Sequence, residues 1–395
     1  MRQGNNGNHF ENSFKFEIEG LVQLFSEVIA EGFQLVGPTV RDGAVVYDSL
    51  TEIQDLPQGF EDEQSPGVYR LRKGKEKEYF GYAVGPQSWK KFLHPPAERI
   101  GVYNRSINGA DHENPAEDLK PLAFLGVRPC ELRAIEIQDR VFLNGPYIDS
   151  TYRANREKLF IIAVNCTHPS GTCFCTSMGT GPQAGSGFDL CLTEVSSKKK
   201  HFFLIQIGSE SGERLLDRIP REPATSEDIA LALDALKKAE LRIKAKLETE
   251  DLPNILNRNF DHPRWEETGK RCLSCGNCTL VCPTCFCSTV EEVTDLSGET
   301  AERWKRWDSC FTADFSYIHG GSVRQSTKSR YRQWMTHKLS NWMEQFGMMG
   351  CVGCGRCLTW CPVGIDITEE ATYIREHDLT QKPKLRKGDK TNENH

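Results

Sequence analysis

The sequence predicts an α/β domain with a partly parallel sheet over residues 14–235, followed by a helical, cysteine-rich domain over residues 260–378. Two observations support this division. Short, continuous apolar runs separated by a helical pattern indicate strands that are buried on both faces of a parallel sheet. Eight of the sixteen cysteines recur at a fixed spacing near the C-terminal end. Residues 236–259 are expected to connect the two domains, and residues 379–395 to form a disordered polar tail.

The first elements follow from hydrophobic spacing. Apolar residues between positions 21 and 29 recur at intervals of three and four, which predicts an amphipathic helix that ends at Gly32. The segments VYRLR (68–72) and EYFGY (78–82) have the composition of strands and are predicted to pair as a hairpin.

A βαβ unit is predicted next. LAFLGV (122–127) and LFIIAV (159–164) have the apolar character of buried strands, and a helical pattern over residues 131–142 lies between them. Residues 226–249 are rich in helix formers and predict a connecting helix. A further helix is predicted around residues 331–346, between the two groups of recurring cysteines.

The recurring cysteines share the form Cys-x2-Cys-x2-Cys-x3-Cys-Pro. The first run comprises Cys272, Cys275, Cys278 and Cys282, and the second comprises Cys351, Cys354, Cys357 and Cys361. This is the bacterial ferredoxin spacing for [4Fe-4S] clusters. The alternatives are zinc or free core thiols, but structural zinc sites usually join two Cys-x2-Cys pairs across a longer loop. The runs therefore predict two [4Fe-4S] clusters and electron transfer. Because 68 residues separate them, more than a compact ferredoxin needs, the second domain is expected to be helical.

Composition limits the other classes of protein. The net charge of −6 is ordinary, and residues 1–20 contain no apolar signal-peptide core. No apolar stretch approaches the roughly 18 residues that a transmembrane helix needs. We therefore expect a cytoplasmic protein without a membrane span, in a compartment that keeps thiols reduced. The lysines and arginines of the tail predict a solvated end, not a nucleic-acid partner.

Four further cysteines lie near the ends of the predicted parallel strands. Cys130 and Cys166 each follow one of these strands, and Cys173 and Cys175 come shortly afterwards. Ligands bind at this edge of open α/β sheets, and a helix that opens at Cys130 would favour a negatively charged group there. The four thiols are enough for a third [4Fe-4S] cluster, but buried apolar thiols would show the same pattern. The residues alone leave both alternatives open.

Three cysteines near the first run have no clear assignment. Cys285, Cys287 and Cys310 could replace expected ligands, hold an unusual cluster or pack in the core. Cys191 is expected to be a core residue, and His337 to be structural.

Seven motifs are distributed along the chain. They are GPTVRDGAVVYD (37–48), VGPQSWKKFLHPP (84–96), GVRPCELRAIEIQDRVFL (126–143), CFCTSMGTGP (173–182), CLSCGNCTLVCPTCFC (272–287), RWDSCFTADFS (306–316) and CVGCGRCLTWCPVGIDI (351–367). Together they resemble the iron–sulfur β subunit of cytoplasmic NAD(P)-linked [NiFe] hydrogenases, also called sulfhydrogenases, over about residues 15–375. The electron-transfer subunit of anaerobic sulfite reductase has the same layout, with weaker agreement in the N-terminal motifs.

The resemblance implies more than the bare spacing does. It assigns Cys130, Cys166, Cys173 and Cys175 to the family pattern, which favours the third cluster. It also implies that the second domain is similar to the all-helical ferredoxins of succinate dehydrogenase iron–sulfur subunits.

The ligands of the two ferredoxin clusters are expected to cross between the runs. In compact ferredoxins the cysteine before proline binds the opposite cluster. If that holds here, Cys361 joins the first three cysteines of the first run, and Cys282 joins the first three of the second.

The expected function is electron transfer without catalysis by this chain alone. No catalytic residues, flavin site or nucleotide site stand out, and conversion between hydride and single electrons normally needs a flavin. The resemblance implies three partners, which are the small and large subunits of a [NiFe] hydrogenase and a flavin/NAD(P)-binding subunit that is similar to ferredoxin reductases. The alternative is the electron-transfer subunit of an anaerobic siroheme sulfite reductase. A hypothesis from another class is a zinc-stapled binding module.

Overall fold

The computed structural model describes residue 10 and residues 13–74, 77–105, 109–111, 120–197 and 200–380. The predicted tail lies outside the described residues from position 381 onward.

The described strands are numbered in chain order. They are β1 (Phe14–Phe16), β2 (Gln34–Arg41), β3 (Ala44–Ser49), β4 (Phe60–Ser65), β5 (Val68–Lys73), β6 (Ala97–Asn104), β7 (Gly109–Asp111), β8 (Leu122–Val127), β9 (Phe160–Val164), β10 (Leu190–Ser196), β11 (His201–Ile207), β12 (Glu222–Pro223), β13 (Ser288–Thr294), β14 (Thr300–Trp307), β15 (Tyr317–Ile318) and β16 (Gly321–Ser322).

The described α-helices are numbered in the same way. They are α1 (Ile18–Ala30), α2 (Lys90–Leu93), α3 (Pro129–Phe142), α4 (Ser150–Glu157), α5 (Cys175–Met178), α6 (Glu210–Leu216), α7 (Ser226–Arg242), α8 (Leu252–Arg258), α9 (Arg264–Arg271), α10 (Asn277–Leu280), α11 (Thr327–Thr336), α12 (Trp342–Phe346), α13 (Arg356–Thr359) and α14 (Ile367–Glu376). None of these helices is long and apolar enough to cross a bilayer.

An eight-stranded mixed sheet forms the centre of the N-terminal region, with the strand order β12-β1-β11-β10-β9-β8-β2-β3. The pairs β10/β9, β9/β8 and β8/β2 are parallel, and the other pairs are antiparallel. The predicted βαβ unit is present as β8, α3 and β9. The prediction of an α/β region with a partly parallel sheet is therefore confirmed.

The sheet is covered on both faces, because alternate residues of a strand point to opposite sides. Ile162 and Val164 of β9 join the core that contains α1, whereas Ile161 and Ala163 join the core that contains α3. Full burial of each of the isoleucine and valine side chains stabilises the fold by about 1.5–3 kcal/mol. Cys191 of β10 lies in the second core and is fully buried, as the sequence predicted.

The predicted hairpin has a different partner. β5 pairs with β4 through a two-residue turn at Pro66 and Gly67, and residues 78–82 form no strand. Gly67 has a φ of +74°, a conformation that glycine adopts without strain. The backbone amides of Tyr79 and Phe80 instead donate to the Glu194 carboxylate, each at 2.8 Å. This long-range contact replaces the predicted strand pairing.

The prediction of an all-helical second domain is wrong. β13 and β14 form a hairpin between the two cysteine runs, and β14 pairs with β6 from the N-terminal region in the order β13-β14-β6-β7. This sheet joins the two halves of the chain. The predicted helix around residues 331–346 is present as α11 and α12, with a π-helical turn at His337–Asn341 between them. The predicted connecting helix ends at Arg242 instead of residue 249.

Candidate metal centres

The first cysteine group combines both runs. Cys272, Cys275 and Cys278 meet Cys361 around a cavity of about 30 Å³, and these four are called the outer thiol set. Cys275 is exposed to solvent. Backbone amides of Ser274 and Ile365 donate to two of the sulfur atoms, at 3.4 Å and 3.3 Å.

The second group also combines both runs. Cys282 neighbours Cys351, Cys354 and Cys357, and these four are called the central thiol set. The Lys338 ammonium donates to Cys282 Sγ at 3.2 Å. The structure therefore brings the thiols together in the crossed arrangement expected from compact ferredoxins; metal ligation by them stays a prediction.

The two runs share an unusual backbone conformation. Ser274 and Gly276 in the first run have φ values of +51° and +76°, and the equivalent Gly353 and Gly355 have values of +64° and +75°. The loop therefore curls in the same way in both runs.

A third group lies at the carboxyl edge of the parallel strands. Cys130, in the first turn of α3, and Cys166, after β9, line one cavity of about 40 Å³ together with Cys173 and Cys175. These four are called the sheet-edge thiol set. Their binding of a cluster stays a prediction. The Arg128 guanidinium, 5% exposed, lines the same cavity and donates to backbone carbonyls.

The central and sheet-edge sets are in direct contact. Cys354 of the central set lines the sheet-edge cavity, and its backbone oxygen accepts from Cys173 Sγ at 3.7 Å. A buried ion pair crosses the same interface, from Arg356 of α13 to Glu131 of α3 at 2.7 Å. The Tyr47 hydroxyl also donates to Glu131.

Gly353 fits against the N-terminal region so closely that we expect a methyl group there to be costly. A Cβ on Gly353 would lie 2.7 Å from the backbone of Phe174 and Cys175. Ser274, which has a Cβ, adopts a similar φ at the equivalent position of the first run. We therefore expect the steric clash, more than the backbone conformation, to determine the stability cost of the substitution. Gly353→Ala should lower the free energy of unfolding by about 1–3 kcal/mol more than Gly347→Ala, as measured by anaerobic urea denaturation.

Gly347 is the matched control, since its φ is +68° and its Cβ would meet no atom within 4 Å. Its substitution therefore tests the cost of the positive φ alone. Equal losses in the two variants would contradict the close approach at Gly353.

A fourth group contains the three unassigned cysteines. Cys285, Cys287 and Cys310 line a cavity of about 200 Å³, and these three are called the lateral thiol set. The neighbouring Cys310 thiol lowers the pKa of Cys287 to about 7. Within the described residues, the sixteen cysteines thus divide into sets of four, four, four and three, with Cys191 left in the core.

The donor sets fit iron–sulfur clusters. Thiolates are the ligands of these clusters, and each set is composed of cysteine thiols. Burial raises the pKa of the Cys130, Cys173 and Cys278 thiols well above the ordinary value, so metal binding there would have to displace their protons. The buried Trp334 Nε1, in the walls of the outer and lateral cavities, has no hydrogen-bond partner among the described atoms and could donate to a cluster sulfur.

A single metal ion fits less well. In the described part of the chain, no group of three or more His, Cys, Asp or Glu side chains converges closely enough to hold one ion. A cavity of about 720 Å³ between β1, α1 and β11 is lined by no cysteine.

Sequence reasoning missed the charged residues that accompany the thiols. Lys338, Arg356 and Glu131 are buried beside the sets, but each is an ordinary helix residue in the sequence. The Glu131 and Arg356 pair spans 225 positions, so no local pattern could have indicated it.

The fold and its thiol sets define an iron–sulfur protein of the two-cluster ferredoxin class, and residues 271–365 match the family described as 4Fe-4S dicluster domain. The chain is also 33% identical over 290 residues to sulfhydrogenase 2 subunit beta of Pyrococcus furiosus. This alignment covers 73% of the chain and 82% of that relative. The chain belongs to the sulfhydrogenase β-subunit family, and the resemblance seen in its motifs is confirmed.

Proposed function

We propose that the chain relays single electrons between a [NiFe] hydrogenase and a flavin/NAD(P)-binding subunit, through three [4Fe-4S] clusters held by the outer, central and sheet-edge thiol sets. A bound cluster supplies one-electron transfer, whereas NAD(P)H gives a hydride, so a flavin in a partner protein is required. The residues of this chain hold the clusters and set their spacing and surroundings.

The proposal rests on the contact of the central thiol set with both other sets. Cys357 of the central set lines the outer cavity, and Cys354 of the same set lines the sheet-edge cavity. The central set therefore lies between the other two, which supports the order outer, central, sheet-edge. Cys275 makes the outer end the most accessible to a partner, since the sheet-edge Cys173 and Cys175 are buried.

Buried cations accompany this row. Lys338 lies beside the central set, Arg356 between the central and sheet-edge sets, and Arg128 beside the sheet-edge set. A cubane with four thiolates is a net anion, and nearby positive charge favours its reduced form by raising its potential. These three side chains would therefore stabilise negative charge along the relay.

The partners can be tested with the native complex. A chain purified alone under anaerobic conditions should contain iron and sulfide but neither oxidise hydrogen nor reduce NAD(P). The complex purified by an affinity tag on this chain should contain a flavoprotein and the two hydrogenase subunits and should do both. Co-purification of a siroheme sulfite reductase would support the alternative function instead.

The sheet-edge cluster can be tested in the full chain. Replacing Cys173 and Cys175 together by alanine should remove about four irons and one electron paramagnetic resonance signal. It should leave the signals of the outer and central sets, because neither thiol belongs to them. Cys191→Ala is the matched control, since it removes a buried thiol outside all four sets. An unchanged iron content in the double variant would show that these thiols are structural.

A further inference from the structure

We propose that the lateral thiol set binds a fourth [4Fe-4S] cluster, with Cys285, Cys287 and Cys310 as three ligands and His337 as the fourth. This site lies beyond the three-cluster relay, and its failure would leave that relay intact.

The fold assembles the lateral set from distant parts of the chain. Cys285 and Cys287 follow the first run, and Cys287 directly precedes β13. The β13–β14 hairpin pairs Ser288 with Trp307, and the Asp308 amide donates to the Cys287 carbonyl at 2.9 Å. The base of the hairpin therefore brings Cys287 next to Cys310, two residues beyond Asp308.

His337 completes a set of four donors around one cavity. It begins the π-helical turn between α11 and α12, and its ring lines the lateral cavity between Phe286 and Trp342. Among the described residues, no hydrogen bond engages its ring nitrogens. The sequence suggested a structural histidine, but the side chain is placed where a fourth ligand is needed. Histidine is an established ligand of iron in iron–sulfur clusters.

The arrangement of the donors favours a cluster over a single ion. A zinc ion would need four donors about 2.0–2.3 Å from one point. Among the described residues, no three His, Cys, Asp or Glu side chains converge closely enough to hold one ion. The lateral donors share one cavity of about 200 Å³, which is no smaller than the outer and sheet-edge cavities that we assign to clusters.

The charge around the cavity favours an anionic occupant. Lys338 and Lys90 are each 5% exposed, and neither ammonium lies within ion-pair distance of a carboxylate in the described chain. Lys338 and Arg324 line the cavity wall. The Lys90 ammonium lies outside the wall, over the Trp307 ring at 3.7 Å from the ring centroid, and interacts electrostatically with the thiols of Cys285 and Cys287.

Burying a charge without a partner costs several kcal/mol, so such cations are expected beside a compensating anion. The central set accounts for part of this charge, because Lys338 also contacts Cys282. Lys90 also interacts with two thiols of the lateral set, so an anionic cluster in the lateral site would compensate this buried cation as well.

The site lies beside the relay and not in line with it. Cys285 neighbours Cys282 of the central set, and Trp334 separates the lateral cavity from the outer one. A cluster there would exchange electrons with both sets. A cluster in this position would store an electron on a side branch, while the outer and sheet-edge clusters exchange electrons with the partner proteins.

Metal analysis of the anaerobically purified full chain tests the proposal. Four clusters predict about sixteen irons and about sixteen sulfides per chain, whereas three predict about twelve of each. Replacing Cys287 and Cys310 together by alanine should remove about four irons and keep the paramagnetic signals of the other three sets. Cys191→Ala, which leaves all four sets intact, should keep the full iron content.

His337→Cys tests the fourth ligand separately. Because histidine ligation raises the potential of an iron–sulfur centre, this variant should keep its iron and shift one reduction midpoint to a lower value. His337→Ala should perturb the same signal and no other.

Three results would overturn the proposal. They are a wild-type chain with about twelve irons, a double variant that retains all the wild-type iron, and one zinc per chain that the double variant loses. If the double variant does not fold, the iron count and the Mössbauer spectrum of the wild-type chain still decide between three clusters and four.

Discussion

Cys361→Ala should remove the outer cluster and leave the central one, although Cys361 belongs to the second run. In the structure its sulfur lines the cavity of Cys272, Cys275 and Cys278, while Cys282 neighbours the thiols of the second run. We expect a loss of about four irons. Because the relay then lacks its outer cluster, NAD(P) turnover of the complex should fall by at least an order of magnitude. Iron analysis and electron paramagnetic resonance measure the first effect, and NAD(P) turnover of the complex measures the second.

Pairs of substitutions test directly whether the cluster ligands cross between the two runs. If Cys272 and Cys361 hold the same cluster, alanine at both positions should remove no more iron than either change alone, about four atoms. Alanine at Cys351 and Cys361 should remove about eight, because these residues would belong to different clusters despite sharing a run. The reverse pattern would show that each run holds its own cluster.

Arg356→Met should strongly destabilise the junction between the central and sheet-edge sets. The side chains of Arg356 and Glu131 are 6% and 1% exposed, so removal of the cation leaves a buried carboxylate supported by the Tyr47 hydroxyl. Removing one partner of a buried ion pair destabilises a folded protein by about 3–5 kcal/mol. We expect a loss of that size in the free energy of unfolding, as measured by anaerobic urea denaturation followed through tryptophan fluorescence.

An exposed ion pair on the surface provides the control for this variant. Arg218 pairs with Glu27 and Glu31 and is 42% exposed, so Arg218→Met should cost less than about 1 kcal/mol. Adding Glu131→Gln to Arg356→Met should recover part of the loss, because no buried charge then remains unpaired. Equal effects of Arg356→Met and Arg218→Met would contradict the role of the buried pair.

The errors of the sequence analysis share one physical cause. The segment at residues 78–82 has strand composition, but Glu194, more than 110 positions away, engages two of its backbone amides. The hairpin of β13 and β14 interrupts the predicted all-helical domain and pairs with β6, about 200 positions earlier. Each outcome depends on a partner that lies outside any local window, and local patterns carry no information about such partners.

Local spacing by itself determined the β8–α3–β9 unit and the two ferredoxin runs. Buried parallel strands consist of continuous apolar residues, and three thiols that share one cluster must lie on one tight loop. A few consecutive residues therefore determine each of these features. The meeting of thiols across the runs was expected from compact ferredoxins. The tertiary structure alone decided how Lys338 and Arg356 are buried beside the thiols, and that Cys287, Cys310 and His337 line one cavity. These groups come from separate segments, and only long-range strand pairing and core packing bring them together.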